Sequence, residues 1–288
     1  MQTGGAMGII GGSGLYRMEG LEVVEEVALK TPFGPPSDTY IVGNLGGREV
    51  VFLPRHGRNH SLMPHELNFR ANIYGFKKLG VERVVGVSAV GSMKEQIHPS
   101  HIVLPDQFID RTQRRVGTFF GEGAVAHVSF ADPVCPQLHG ALAKAAASCG
   151  TTVWPAGTYL CIEGPAFSTR AESHLYRSWG VSVIGMTNLP EAKLAREAEM
   201  SYATVALVTD FDCWHETEEE VSVEMLLENL RRNVATAQRL LKALVPALPS
   251  ERTCACGRAL QKALVTPPAA MPAAARERLD IIIRRYLQ

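Results

Sequence analysis

Apolar positions in this chain come in short dense runs separated by Gly- and Pro-bearing loops, and the runs alternate between two periods. Met7–Gly11 reads as a first strand that breaks into Gly12-Ser13-Gly14. Leu21–Leu29 alternates loosely and ends in the stiff loop Thr31-Pro32-Phe33-Gly34-Pro35-Pro36. Tyr40–Leu45 and Glu49–Leu53 flank Gly46-Gly47 and predict a β-hairpin. Val81–Val87 is an almost continuous β-branched run, as expected of a strand buried on both faces. Ile102–Phe108, Thr158–Ile162, Val181–Met186 and Tyr202–Val208 are further strands.

Helical spacing fills the intervals. Pro64–Leu79 stops at Gly80, Pro136–Cys149 is Ala-rich, and Thr169–Trp179 stops at Gly180. A charged helix is predicted over Leu189–Glu199. The longest pattern, Ser222–Val245, carries Met225, Leu226, Leu230, Val234 and Leu241 on its apolar side. A last helix falls near Ala273–Leu287. Val116–Pro133, rich in Gly, Phe and polar residues, predicts a surface excursion. Strands alternating with helices indicate a single α/β domain with a largely buried central sheet, over residues 7–246. Beyond Pro246 the composition shifts to Ala, Pro and Cys, so residues 247–288 are expected to form a helical arm, packed on the same domain or on a neighbouring subunit.

Composition narrows the class. With 46% hydrophobic and 20% charged residues, the chain is ordinary globular. Lys plus Arg equals Asp plus Glu at 29 each, so no charge footprint for nucleic acid or an anionic membrane exists. Any bound anion must be held by local groups, which points to a small ligand. No run of about 18 apolar residues is present, so no bilayer-spanning segment is expected, and MQTGGAMGIIGG does not read as a signal peptide. Six cysteines are too sparse for a disulfide scaffold, and a reduced, cytoplasmic protein is expected. Cys254 and Cys256 are expected to be free thiols and no metal site is expected, because no second Cys/His pair stands at ligand spacing.

The candidate chemistry collects at strand ends. Thr209-Asp210-Phe211-Asp212 closes the most apolar strand; two carboxylates at i and i+2 on an extended segment would point to one side. Such a pair can accept from an amino group and share a proton with a ring nitrogen. Gly11-Gly12-Ser13-Gly14 offers amides and a hydroxyl to an anion, yet it lacks the Gly-Lys-Ser/Thr of a nucleotide-binding P-loop and the third glycine of GxGxxG. Arg55 and His56 end another strand, and an arginine fork matches phosphate oxygens. Ser88-Ala89-Val90-Gly91-Ser92 and Thr187 end two more. Taken singly, each of these is an ordinary strand-end turn or a solvated loop. Together they supply the hydroxyls, cation and amides that a phosphate needs in a neutral protein.

GIIGGSGLY (Gly8–Tyr16), TPFGPPSD (Thr31–Asp38), RHGRNH with Pro64, DQFIDRT (Asp106–Thr112), EGPAFSTRAES (Glu163–Ser173), GMTNLPEAKLAREAEM and TDFDCW closely resemble the 5′-methylthioadenosine phosphorylases, within the purine nucleoside phosphorylase family. The match runs in order from about Gly8 to Leu244. The resemblance implies a single-domain α/β fold with a mixed central sheet flanked by helices, a homotrimer, and phosphorolysis of S-methyl-5′-thioadenosine to adenine and 5-methylthioribose 1-phosphate, without metal or organic cofactor. By motif position it implies phosphate binding by Ser13, Arg55, His56, Ser88, Ala89 and Thr187, and ribose contact by Met186. Phe167 and Ser168 would line the base pocket, Asp210 and Asp212 would face adenine N7 and N6, and Val223, Leu226 and Leu227 would hold the methylthio group. His127 resembles a residue donated by a neighbouring subunit. Two positions depart from the pattern: Gly185, where some relatives carry Asn, and Ala166, where a larger polar residue is common. A 5′-methylthioinosine or broader purine nucleoside phosphorylase would need other groups than two acids. A hydrolytic nucleosidase would not need the phosphate group. A dinucleotide oxidoreductase lacks its fingerprint here, and a non-catalytic nucleoside binder would bind without turnover.

Overall fold

One strand, longer than its sequence pattern predicts, organises the sheet. The computed structural model describes residues 5–12, 14–15, 17–215 and 223–287, with only the backbone course of 223–232. Eleven strands form one sheet among the described residues: β1 (Ala6–Gly11), β2 (Leu21–Val27), β3 (Tyr40–Leu45), β4 (Arg48–Pro54), β5 (Val81–Ser92), β6 (Ile102–Val103), β7 (Gln107–Arg111), β8 (Val153–Trp154), β9 (Thr158–Ile162), β10 (Val183–Gly185) and β11 (Ser201–Asp210). Their order is β2-β3-β4-β1-β5-β10-β9-β7, with β11 on β5 and β6, and β8 on β6. β1, β4, β5 and β11 run parallel, whereas β10 runs antiparallel to β5. The sheet is therefore mixed.

β5 has three partners. β11 pairs along one edge from Arg83 to Gly91. The other edge is shared: β1 pairs with Val81–Gly86, and β10 pairs with Gly91 and Ser92. The stretch between, including Ser88 and Ala89, has no ladder partner on that edge among the described residues. This opening lies where the parallel strands β1 and β4 end.

Neighbouring residues on each central strand point to opposite faces, so Ile9, Phe52 and Val85 enter one apolar core while Ile10, Leu53 and Val84 enter the other. Six helices accompany the sheet among the described residues: α1 (Phe69–Lys78), α2 (Pro136–Ala146), α3 (Arg170–Ser178), α4 (Asn188–Glu197), α5 (Val223–Ala247) and α6 (Ala273–Ile283). α1, α4 and α6 cover the Ile10 face, and α2 and α5 the Ile9 face. No described helix is long and apolar enough to cross a membrane.

Three elements differ from the sequence pattern. α1 starts at Phe69 rather than Pro64, because Asn68 accepts from the Ala71 amide and donates to the Phe33 carbonyl, fixing the helix entry there. The run Ile102–Phe108 splits into β6 and β7 around Pro105, whose missing N–H interrupts the ladder. The segment Val116–Pro133 is only in part a surface excursion. Phe119 is fully buried against Phe33, and its amide and the Thr118 hydroxyl both donate to the Glu197 carboxylate. The partners of that segment lie far away in sequence: α4, and the C-terminal arm, where Ala126 bridges Leu264. Leu260, Met271, Leu279 and Ile283 of the arm enter the same core, and buried Glu199 accepts from the Leu260 amide and the Tyr286 hydroxyl.

Candidate active site

β11 ends at Asp210, and the chain turns at once. Asp212 takes φ +55° and opens a 3₁₀ turn, Asp212–Trp214. The aspartates are therefore not two positions of an extended strand, as the i, i+2 spacing predicts. The Asp210 carboxylate instead accepts from the Thr209 hydroxyl (2.6 Å) and from the Asp212 amide (2.8 Å), an Asx-type turn that stacks one acid under the next. β5 approaches closely at Gly91, where a Cβ would stand 2.8 Å from Asp210 Oδ1.

The second acid is held by α3. Thr169 and Glu172 form a capping box that fixes the helix start, and Ser173, one residue further, donates to Asp212 Oδ2 at 2.5 Å. Phe211, Trp214 and Ile184 supply an apolar surround. Burial pushes both carboxyls up. Asp212 reaches about 6, through burial first and the neighbouring Asp210 charge second, against the Ser173 hydrogen bond. Acids raised in this way keep their proton to higher pH than ordinary aspartates do, and a close pair can share it.

Beside the acids lies the loop after β9. Cys213 Sγ donates to the Ser168 carbonyl at 3.3 Å, tying the 3₁₀ turn to that loop. Gly164, at φ +67°, leaves room for Met186, whose sulfur would stand 2.6 Å from a Cβ there. Phe167 is 47% exposed at the rim, and the buried Ser168 hydroxyl has no hydrogen-bond partner among the described residues. One cation, absent from the candidate residues of the sequence, holds this loop against the β10–α4 connection. The Arg115 side chain donates to the carbonyls of Met186, Leu189, Ile162 and Glu163.

The third part is the opening along β5. β10 pairs Ile184 with Gly91. Continuing that antiparallel register places Thr187 level with Ser88. Among the described residues neither buried hydroxyl makes a well-formed hydrogen bond, nor does the hydroxyl of Tyr159, a wholly buried phenol that stands close enough to interact with both. Burial pushes Tyr159 up to about 12, so it stays a donor. Hydroxyls left without a well-formed partner cost free energy unless something polar joins them, typically up to about 1–3 kcal/mol each. The same phenol explains Gly185: any Cβ there would collide with the Tyr159 hydroxyl.

Arg55 closes this end, but not as a free fork. Its guanidinium is 2% exposed and bound to Glu191 through Nε (2.9 Å) and Nη2 (3.1 Å), while Nη1 and Nη2 also donate to the Val87 and Ile10 carbonyls. Glu191 in turn accepts from Tyr202 at 2.7 Å. Among the described residues one Nη1 hydrogen is left for an anion, so a bidentate grip, expected from the residue type, is not available in this arrangement. His56 is pushed down to about 4 by burial, with Arg55 and His60 adding repulsion. Being neutral, and with Nδ1 2.8 Å from the Leu62 carbonyl, it carries its proton on Nδ1 and keeps Nε2 as an acceptor. His60 stacks on it at 4.6 Å, whereas Arg58 is occupied by Glu26 and Asp38 at the surface.

Ser13 lies outside the described residues, as do the side chains of Val223, Leu226 and Leu227, although α5 itself begins at Val223. Ala89 sits partly exposed in the β5 opening. His127 does not join the group: it lines a separate, open pocket of about 260 Å³ with Phe130, Lys193 and Glu197. The arrangement thus offers a buried acid pair with raised proton affinity at one end, anion-seeking hydroxyls at the other, and Met186 and the Phe167 loop between.

That architecture has known counterparts. The model of the phosphorylase superfamily matches residues 6–246. The chain belongs to the phosphorylase superfamily. Among phosphorylases of this superfamily, it is 59% identical over 282 residues to the S-methyl-5′-thioadenosine phosphorylase of Geobacter sulfurreducens, covering 98% of this chain and 99% of that one. The enzyme of the same name from Thermosynechococcus vestitus is also 59% identical, over 285 residues and with the same coverage. A methylthioadenosine phosphorylase from an antarctic soil metagenomic library superimposes with a TM-score of 0.92 at 50% identity, covering 97% of this chain and 99% of that one. Methylthioadenosine phosphorylase from Schistosoma mansoni in complex with adenine superimposes at 0.85 with 36% identity, over 90% of this chain and 99% of that one.

Proposed function

We propose that this phosphorylase cleaves S-methyl-5′-thioadenosine with phosphate, releasing adenine and 5-methylthioribose 1-phosphate. The observation that carries the proposal is the pairing of two buried acids at one end of the cleft with the buried hydroxyls of Ser88 and Thr187, which make no well-formed hydrogen bond to a described residue, at the other. Phosphate sits against those hydroxyls, the Ala89 amide, the remaining Nη1–H of Arg55 and Ser13, and a protonated phosphate oxygen donates to His56 Nε2. Adenine stands against the aspartates, with Phe167 and Ser168 alongside and the ribose on Met186.

In the reaction a phosphate oxygen bonds to C1′ as the C1′–N9 bond breaks and its electron pair passes to the purine. A purine anion leaves poorly, so the proton that the acid pair delivers at N7 assists departure, typically by about 10²–10⁴-fold. Phosphate stabilises the oxocarbenium-like sugar before it attacks, so positioning and electrostatics supply the rest. Asp210 faces N7 and Asp212 accepts from the N6 amino group. A 6-oxopurine would present an oxygen to a carboxylate there, and such a mismatch discriminates strongly. Val223, Leu226 and Leu227 bury the methylthio group, which favours it over a 5′-hydroxyl by about 1–3 kcal/mol.

The resemblance further supports a homotrimer in which His127 of a neighbouring copy completes each site, in a cytoplasmic salvage role for adenine and the methylthioribose carbon skeleton. Phosphate is a co-substrate, and the chemistry calls on no other small molecule. Product analysis with methylthioadenosine tests the proposal. Adenine should form with phosphate and not without it. Equal release in both cases identifies a hydrolase, and preference for methylthioinosine removes the role given to the acids.

A further inference from the structure

The sequence presents Cys254 and Cys256 as an isolated pair of thiols. The fold adds a third. Cys135, at the N-terminal cap of α2, stands with Cys254 and Cys256 so that all three sulfurs lie within 4.8 Å of one another. The Ser201 hydroxyl, at the start of β11, is 3.1 Å from Cys254 Sγ. Cys135 and Cys256 are buried and Cys254 is half-buried.

We propose that Cys135, Cys254 and Cys256 bind one zinc(II) ion as thiolates, with the Ser201 hydroxyl or a water as fourth ligand. Thiolates are the donors that select soft or borderline d¹⁰ cations, and tetrahedral zinc with bonds of about 2.3 Å places its sulfurs about 3.8 Å apart. The cluster therefore needs to close by at most about 1 Å. Binding displaces three thiol protons to solvent, leaving a net charge of −1 on the centre. A counter-charge is present: buried Arg83, whose Nη2 donates to the Pro249 carbonyl, lies within electrostatic reach of Cys254.

The ion would staple the start of the C-terminal arm to α2 and β11. It stands at the opposite end of β11 from Asp210, about 30 Å along a ten-residue strand. Its role is structural, and the cleavage reaction should not notice it.

The test is zinc content of the reduced, full-length protein after zinc loading and gel filtration, compared with Cys256→Ser. The expected result is about one zinc per chain, at least tenfold less in the variant, and a thermal midpoint that chelator lowers in the parent only. Cobalt(II) loading of the parent should give tetrahedral ligand-field bands and a sulfur charge-transfer band, a readout that does not depend on the variant folding. Zinc below about a tenth of an equivalent in the loaded parent overturns the proposal. So does a titration, in denaturant without reductant, of four thiols rather than the six in the sequence, since two cysteines would then be a disulfide.

Discussion

Replacing Asp212 by Asn separates the cost of the acid pair from its use. The Asp212 carboxyl is lifted from 3.8 to about 6, chiefly by burial. A group whose folded pKa is raised binds its proton more tightly when folded. Its contribution is then fully present below pH 3.8 and is lost as pH rises through 6, so at pH 8 the ionised group destabilises the free protein. A shift of roughly two units is about 3 kcal/mol at pH 8, and at pH 5, where ionisation is incomplete, it is about 1.6 kcal/mol. Asparagine keeps an acceptor for Ser173 and carries no charge. Asp212→Asn should therefore raise the stability of the ligand-free protein by up to about 3 kcal/mol at pH 8. The gain should fall by nearly half at pH 5 and vanish near pH 3. Denaturant unfolding at the three pH values, with the parent as reference, measures this. Turnover should drop by about 10²–10⁴-fold at the same time. A variant that is less stable at pH 8, or equally stabilised at every pH, refutes the claim that the site buries a costly acid.

Other expectations concern the anion end. Tyr159→Phe removes a buried hydroxyl that makes no well-formed hydrogen bond to a described residue, so stability should hold or rise while the phosphate KM increases about 2–10-fold, the worth of one hydrogen bond; an unchanged phosphate KM places the phenol outside the anion site. Glu191→Ala leaves the Arg55 guanidinium buried without its partner, and should cost about 3–5 kcal/mol in chemical denaturation; a loss below about 1 kcal/mol would mean that the pair is not the strut its burial suggests. Arg115→Lys cannot span four carbonyls, so the nucleoside KM should rise more than the phosphate KM; a change confined to phosphate contradicts the assignment of the Phe167 loop.

Much of the sheet could be read from the chain, because strands buried on both faces require β-branched runs such as Val81–Val87. The acids could be read too, since they stand at the end of such a run. Pairings across long separations could not. Arg55 reads as a free fork until Glu191, 136 residues on, is brought against it. Gly185 reads as a departure until the Tyr159 phenol fills the space beside it. Phe119 lies in a Gly-rich stretch with no period, and only the folded arm and α4 make it core. The turn at Asp212 was hidden for a different reason: a residue pair at i and i+2 does not announce whether the strand continues.

Catalysis here requires one spatial relation, an anion facing an acid pair across a nucleoside. Co-crystals with methylthioadenosine and sulfate test it most directly. Sulfate should lie against Ser88 and Thr187, with the purine N6 and N7 edge on Asp210 and Asp212 in the same cleft. Sulfate bound elsewhere, or a purine turned away from the aspartates, would contradict it.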